Sequence, residues 1–335
     1  MLTIVVDAMG GDLGPRVAFR ACKALLRSQT DVSVILPLEP EYQAEAQKIL
    51  HKFSDRVRFV DCDTHVRMSD SPKSALKTAA TSTMGVALTL HATGEAAGVL
   101  SIGNTGALLM LSMKHLGTFG NIERPALATQ LPTRNKPVLM MDLGANICMS
   151  PEDLLQLGYL ATAWCQVGGE PHPSISLLNI GTEPTKGPET VRTAGELFSK
   201  HLAPFYRGFT EGDHLFDGRL DAVICDGYSG NITLKTTEGL IEWLLSMMGN
   251  ELRQSKMLRW FLPLWKATLR RIDRQVSPAR HGGAMLLGVA GHVAKTHGKS
   301  DERTYRYALE YLIRQIRTRD FRTLEATYSQ FNGPV

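Results

Sequence analysis

The sequence predicts an α/β fold, doubly wound around a mostly parallel sheet with helices on both faces, as one domain spanning residues 1–335. Short apolar runs such as Thr3-Ile4-Val5-Val6 and Val138-Leu139-Met140-Met141 alternate with segments of helical period, the pattern of βαβ units. Several of those runs end in loops of Gly, Asp and Asn. The 335 residues, 43% hydrophobic and 21% charged, suffice for a sizeable buried core.

Taken in order, Leu2 to Val6 reads as the first strand and Arg16 to Leu26 as the first helix, with Pro15 suited to its first turn. Between them lies Asp7-Ala8-Met9-Gly10-Gly11-Asp12-Leu13-Gly14-Pro15, which lacks the GxGxxG spacing of a dinucleotide site. Val32 to Leu36 and Val57 to Val60 read as strands flanking a helix over Glu39 to Phe53. A long helix is predicted from Ser74 to about Ala92. It leads to Val99-Leu100-Ser101-Ile102, a short strand running through Gly103-Asn104-Thr105-Gly106 into a helix from Ala107 to Leu116. Free N–H groups at such a helix start, with its dipole, suit an anion, and Thr105 is the expected N-cap.

The same grammar recurs at Asp142-Leu143-Gly144-Ala145-Asn146, at Asn179-Ile180-Gly181 with Lys186-Gly187, and at Asp226-Gly227-Tyr228-Ser229-Gly230-Asn231. Helices are predicted over Pro151 to Val167, Pro188 to Lys200, Ile232 to Met248 and Ser300 to Arg317, with a short tail from Phe321. In a parallel sheet these five loops share one edge, where open α/β folds bind ligands. Asp7, Asp12, Asn104, Asp142, Asn146, Asn179, Lys186, Asp226 and Asn231 would then surround an anion. Gly10, Gly11, Thr105 and Gly106 belong to the same substrate-binding set.

The net charge of +4 is too mild to argue for nucleic acid. Cys22, Cys62, Cys148, Cys165 and Cys225 form no CxxC pair or metal-ligand spacing, as expected of reduced thiols in a cytoplasmic protein with no metal site. No signal peptide is expected, and the sequence shows no membrane-spanning run, nucleophile elbow, P-loop or HExxH. What remains favours a bound anion that attacks an electrophile, with lysine and backbone N–H groups stabilising the oxyanion.

Residues 252–274 differ in kind. Trp260, Phe261, Leu262, Leu264 and Trp265 lie among Lys256, Arg259, Lys266, Arg270, Arg271 and Arg274, with Pro263 at the centre. This composition predicts a basic amphipathic helical hairpin that binds an anionic membrane surface peripherally, with a subunit contact as the alternative.

The five loop motifs, in this order and spacing, closely resemble the phosphate acyltransferases of bacterial phospholipid synthesis, the PlsX family. The resemblance runs from the first strand to the final helix. It implies transfer of a long-chain fatty acyl group from acyl carrier protein to inorganic phosphate, forming acyl phosphate without a cofactor. It also implies a homodimer, peripheral membrane association, and a fold like phosphotransacetylase and isopropylmalate dehydrogenase. Carried over by motif, Lys186, Asn104, Asn146 and Asn231 are phosphate and oxyanion candidates. Asp7, Asp142 and Asp226 are positioning or base candidates. A nicotinamide-dependent decarboxylating dehydrogenase of the same fold, or a non-catalytic membrane-recruited scaffold, are the competing classes.

Overall fold

A computed structural model describes residues 1–120, 122–254 and 283–331. Its first half is built on β1 (Leu2–Asp7), α1 (Arg16–Ser28), β2 (Val32–Leu38), α2 (Pro40–Leu50) and β3 (Val57–Asp61). Next come α3 (Pro72–Lys77), α4 (Thr83–Ala92), β4 (Val99–Ser101) and α5 (Thr105–Leu116). Then follow β5 (Ala126–Leu131), β6 (Val138–Met141), α6 (Pro151–Val167), β7 (Ile175–Leu178), α7 (Glu189–His201), β8 (Tyr206–Thr210), β9 (Ala222–Ile224) and α8 (Gly227–Gln254). The last described elements are β10 (Gly283–Leu287), β11 (Val293–Thr296), α9 (Glu302–Thr318) and α10 (Phe321–Ser329).

The eleven strands form one sheet in the order β3-β2-β1-β4-β11-β10-β5-β6-β9-β7-β8. Strand alternation sends successive side chains to opposite faces. Ile4 and Val6 of β1 accordingly join a core with Phe19, Leu25, Leu309 and Tyr305 on one face. Val5 joins Met84, Leu88, Val99 and Leu108 on the other. Helices cover both faces, as predicted. Among the described residues no helix is long and apolar enough to cross a membrane.

The single shared edge of the prediction is not what forms. Strands β3, β2, β1, β4 and β11 run parallel, but β10 is antiparallel to β11 and to β5, and β6 is antiparallel to β5. Strands β6, β9, β7 and β8 run parallel to one another. The carboxyl ends of β1 and β4 therefore lie at one edge, and those of β6, β7 and β9 at the opposite edge. The five loops divide into two and three.

Local differences have local causes. The long helix expected from Ser74 breaks into α3 and α4, because Ser82 caps a new start by accepting from the Gly85 N–H at 3.2 Å. The expected tail is α10, whose Leu324 and Tyr328 are buried. Phe321 and Tyr328 meet Phe119 edge-on with centroids 5.2 and 5.4 Å apart. Strands β8 and β11 were absent from the sequence reading, since Gly208 and Lys295 interrupt their apolar character. Cys22, Cys62, Cys165 and Cys225 are buried and Cys148 is exposed. Burial pushes the Cys22 and Cys165 thiols up to about 12.

His292, just before β11, is buried edge-on to Phe321, and burial with nearby His91 lowers its pKa to about 4. The unfolded ring titrates near 6.5, so between those values the unfolded chain binds more protons. Stability contributed by neutral His292 is present above about 6.5 and is lost as pH falls through 4, by about 3 kcal/mol in all. Thermal melts across this range are expected to show a shallower acid loss for His292→Gln than for the parent chain. Equal slopes would exclude His292 as the cause.

Candidate functional site

At the first edge, β1 and β4 are tied by a buried carboxylate. Asp7 is 1% exposed and accepts from the Thr83 hydroxyl at 2.8 Å and the Ser101 hydroxyl at 2.7 Å. The Gly103 N–H in turn donates to Ser101 Oγ at 3.1 Å. Burial raises the Asp7 carboxyl and these donors pull it back. The N-cap of α5 is Asn104, not Thr105. Its Oδ1 accepts from the Ala107 N–H at 3.0 Å, while Nδ2 donates to the Met68 and Asp70 carbonyls. Thr105 is the first residue of the helix. Gly106, in that first turn, packs beside Pro72, and Gly11 beside Ile102. Gly10 stands between Val66 and Gly103.

At the opposite edge Asp142 does the corresponding work on a larger scale. It is fully buried, and its carboxylate accepts from the backbone N–H of Leu127, Gly144, Ala145 and Asn146 at 2.6–3.2 Å, and from the Asn146 amide at 3.1 Å. Asn146 also donates to the Pro125 carbonyl at 2.9 Å. Burial raises Asp142 against the pull of those N–H groups. The next loop interlocks with this one: the Gly227 N–H donates to the Asn146 carbonyl at 2.8 Å. Gly230 packs directly on the Asp142 carbonyl, where any Cβ would collide. Asp226 accepts from the Ser229 N–H at 2.7 Å in the first turn of α8. That leaves Asn231 exposed one turn along, beside Gly144.

The third loop, after β7, neighbours these two because β7 pairs with β9. Asn179 is buried and donates to the Lys186 carbonyl at 2.9 Å, and Gly187 turns at φ +90° against its amide. The Lys186 side chain is 53% exposed and pairs with Glu183 at 2.9 Å. Of the predicted residues, then, Asp142, Asn146, Asp226 and Asn231 come together, and Asp7 with Asn104 and Thr105 forms a separate group. Lys186 stands on the adjoining loop. Trp260, Phe261, Leu262, Leu264 and Trp265 lie outside the described residues.

One residue of each group, Thr105 and Asn231, lines a cleft of about 140 Å³ over the antiparallel centre of the sheet. Its floor is Leu127, Thr129, Ala284, Lys295 and Thr296; Thr105 stands on one wall, and Asn231, Lys235 and Glu238 of α8 on the other. Lys235 and Lys295 bring positive charge to it and His297 a ring N–H, while Glu238, the one carboxylate among the described lining residues, is 2.7 Å from Lys235. Lys295 is largely enclosed, donates to the Thr296 carbonyl at 3.0 Å, and is lowered to about 8 by burial and by Lys235. Burial, Lys235 and Lys295 likewise lower His297. The sequence reading missed all three. Their only signal was the pairing of lone basic residues with a strand end and a helix face, which periodicity does not distinguish from ordinary surface charge. A larger cavity of about 590 Å³ between α7 and β8, lined by Thr182, Arg192 and Lys200, contains none of the motif carboxylates or amides.

The family model for the fatty acid synthesis protein matches residues 2–321. The chain belongs to that family. A relative from Cellvibrio japonicus (strain Ueda107), named phosphate acyltransferase, is 36% identical over 318 residues, covering 95% of each chain. Two solved structures share the fold of this fatty acid synthesis family member. A branched-chain phosphotransacylase from Enterococcus faecalis V583 superposes with a TM-score of 0.56 at 18% identity, covering 95% of this chain and 100% of that one. A phosphotransacetylase from Streptococcus pyogenes gives 0.57 at 16% identity, covering 94% of each. The family and fold class expected from the five motifs are thus both found.

Proposed function

We propose that this family member is a phosphate acyltransferase that moves a long-chain fatty acyl group from acyl carrier protein to inorganic phosphate. The observation that carries the reading is the cleft itself, a basic, polar-walled recess bounded by two glycine-rich loop systems, in a chain 36% identical to a named phosphate acyltransferase. A phosphate oxygen attacks the thioester carbonyl carbon, and the tetrahedral intermediate collapses with loss of the carrier thiolate. Asn231 and Lys186, on neighbouring loops, stabilise the developing oxyanion by hydrogen bond and charge. Asp7 and Asp142 act as positioning groups, because both oxygens of each are engaged in holding the loops, and Asp226 does so through its bond from the Ser229 N–H. The acyl phosphate would enter phospholipid synthesis.

Purified protein incubated with palmitoyl-acyl carrier protein should release free carrier only when phosphate is added, with acyl phosphate trapped by hydroxylamine. Folded protein that releases none at any phosphate concentration would move the assignment to the dehydrogenase or scaffold classes.

The proposal extends to the surroundings of the reaction. Exposed Tyr228, Ile232, Leu240, Trp243, Leu244 and Met247 line α8, an apolar stripe of the kind that a partner covers, and this supports a homodimer. A monomer mass by light scattering at micromolar concentration would remove that part. The tryptophan-bearing segment 252–274 is the proposed contact with anionic lipid at the cytoplasmic membrane surface. Trp260→Glu with Trp265→Glu is expected to abolish sedimentation with anionic vesicles while soluble turnover persists; unchanged sedimentation reassigns the segment to a subunit contact.

A further inference from the structure

The cleft contains a cation whose position demands an explanation. Lys295 is the third residue of β11, in register with Ser101 of β4 on one side and Ala284 of β10 on the other. Its side chain lines the cleft floor and is largely enclosed there. A lysine enclosed against a strand normally meets a carboxylate, since a charge taken out of water needs compensation. Among the described residues Lys295 has no carboxylate partner, and its one polar contact is the Thr296 carbonyl. The groups facing it are Lys235 from α8, a like charge, and the His297 ring beyond the end of its own strand, with Glu238 already engaged by Lys235. The neighbouring strands β4 and β10 present Ser101 and Ala284, and α5 presents Thr105. Asp7, on the same row of the sheet beyond β4, has its two oxygens occupied by Thr83 and Ser101. Two lysines and an imidazole converge on one recess, a lining that suits an anion.

We propose that Lys295 is the phosphate-binding cation of the acyl transfer, holding the attacking oxyanion against the cleft floor with Lys235 and His297 beside it. The assignment rests on the acyl-transfer reading above and adds a residue to it. In the step, a phosphate oxygen forms the C–O bond to the thioester carbon and the C–S bond breaks. The proton carried by the phosphate passes to the departing carrier thiolate, so Lys295 enters and leaves as the ammonium. Its role is to hold the nucleophile's charge, and a phosphate dianion in turn keeps the lysine protonated.

The test is steady-state kinetics of the full chain with palmitoyl-acyl carrier protein and inorganic phosphate, comparing Lys295→Met and Lys295→Arg with the parent. Lys295→Met is expected to raise the KM for phosphate at least about 100-fold, with the KM for the carrier substrate within about twofold. The parent's phosphate KM should climb about tenfold per pH unit above about 8, where the free amine loses its proton. Lys295→Arg, always charged, should bind phosphate and flatten that alkaline rise. A phosphate KM for Lys295→Met within about twofold of the parent overturns the proposal. So does an arginine variant that keeps the parent's alkaline rise, and this arm stands even if the methionine variant fails to fold. Calorimetric titration with inorganic phosphate alone separates the site from the reaction. Heat that is present in the parent and lost in folded Lys295→Met supports the site even if no acyl transfer is found; unchanged heat refutes it.

Discussion

Asp142→Ala is expected to destabilise the protein by about 3–5 kcal/mol, a drop of roughly 4–7 °C in the melting midpoint. The carboxylate accepts four backbone N–H groups and the Asn146 amide inside a fully buried turn. Removing it strands those donors away from water, and the Asp226–Asn231 loop that packs on the Asp142 carbonyl loses its support. Asp142→Asn should be nearly as damaging, because its NH2 would face N–H donors. Thermal melts followed by circular dichroism check both. A variant that melts within about 1 kcal/mol of the parent yet has lost turnover would mark Asp142 as a catalytic base instead of a loop support.

Lys186→Ala has the opposite profile. Its side chain is exposed and its ion-pair partner among the described residues, Glu183, is equally exposed, so the melting midpoint should not move. Transfer to phosphate is expected to fall roughly 10²–10³-fold, the range for losing one oxyanion-stabilising group. Hydroxylamine trapping of acyl phosphate measures this directly. Wild-type-like turnover would remove Lys186 from the chemistry and leave the cleft cations to supply the charge. The two variants thus separate a group that builds the site from one that acts in it.

Residues with a local consequence were legible in the sequence. Pro151 announced α6, and the structure adds a capping box between Ser150 and Asp153. The Asp-Gly-Asn punctuation identified the ends of β6, β7 and β9, because such loops need tight turns and caps whatever the topology. Strand direction was not legible. Nothing local in Ala126–Leu131 or Gly283–Leu287 states that these strands run antiparallel to their neighbours, so the loops were assigned to one edge. Lys295 was hidden for a related reason: a single lysine in Val-Ala-Lys-Thr signals an exposed strand face until the helix that covers it is known. Asn104 and Thr105 show the finest limit, since both are good caps and only the backbone decides between neighbours.

The reversal of strand direction makes the centre of the sheet a ruler. The loop systems approach from opposite rims, and the interval between them is counted along β5 in residues, at about 3.3 Å each. A ligand that touched both Thr105 and Asn231 would lie across those middle strands, within a span set by residues counted along them. Adding two residues to β5 and to each strand paired with it would keep every side chain on its own face. It would also part Thr105 from Asn231 by about 7 Å. Such a protein would retain its core and its two loop systems while losing the alignment between them.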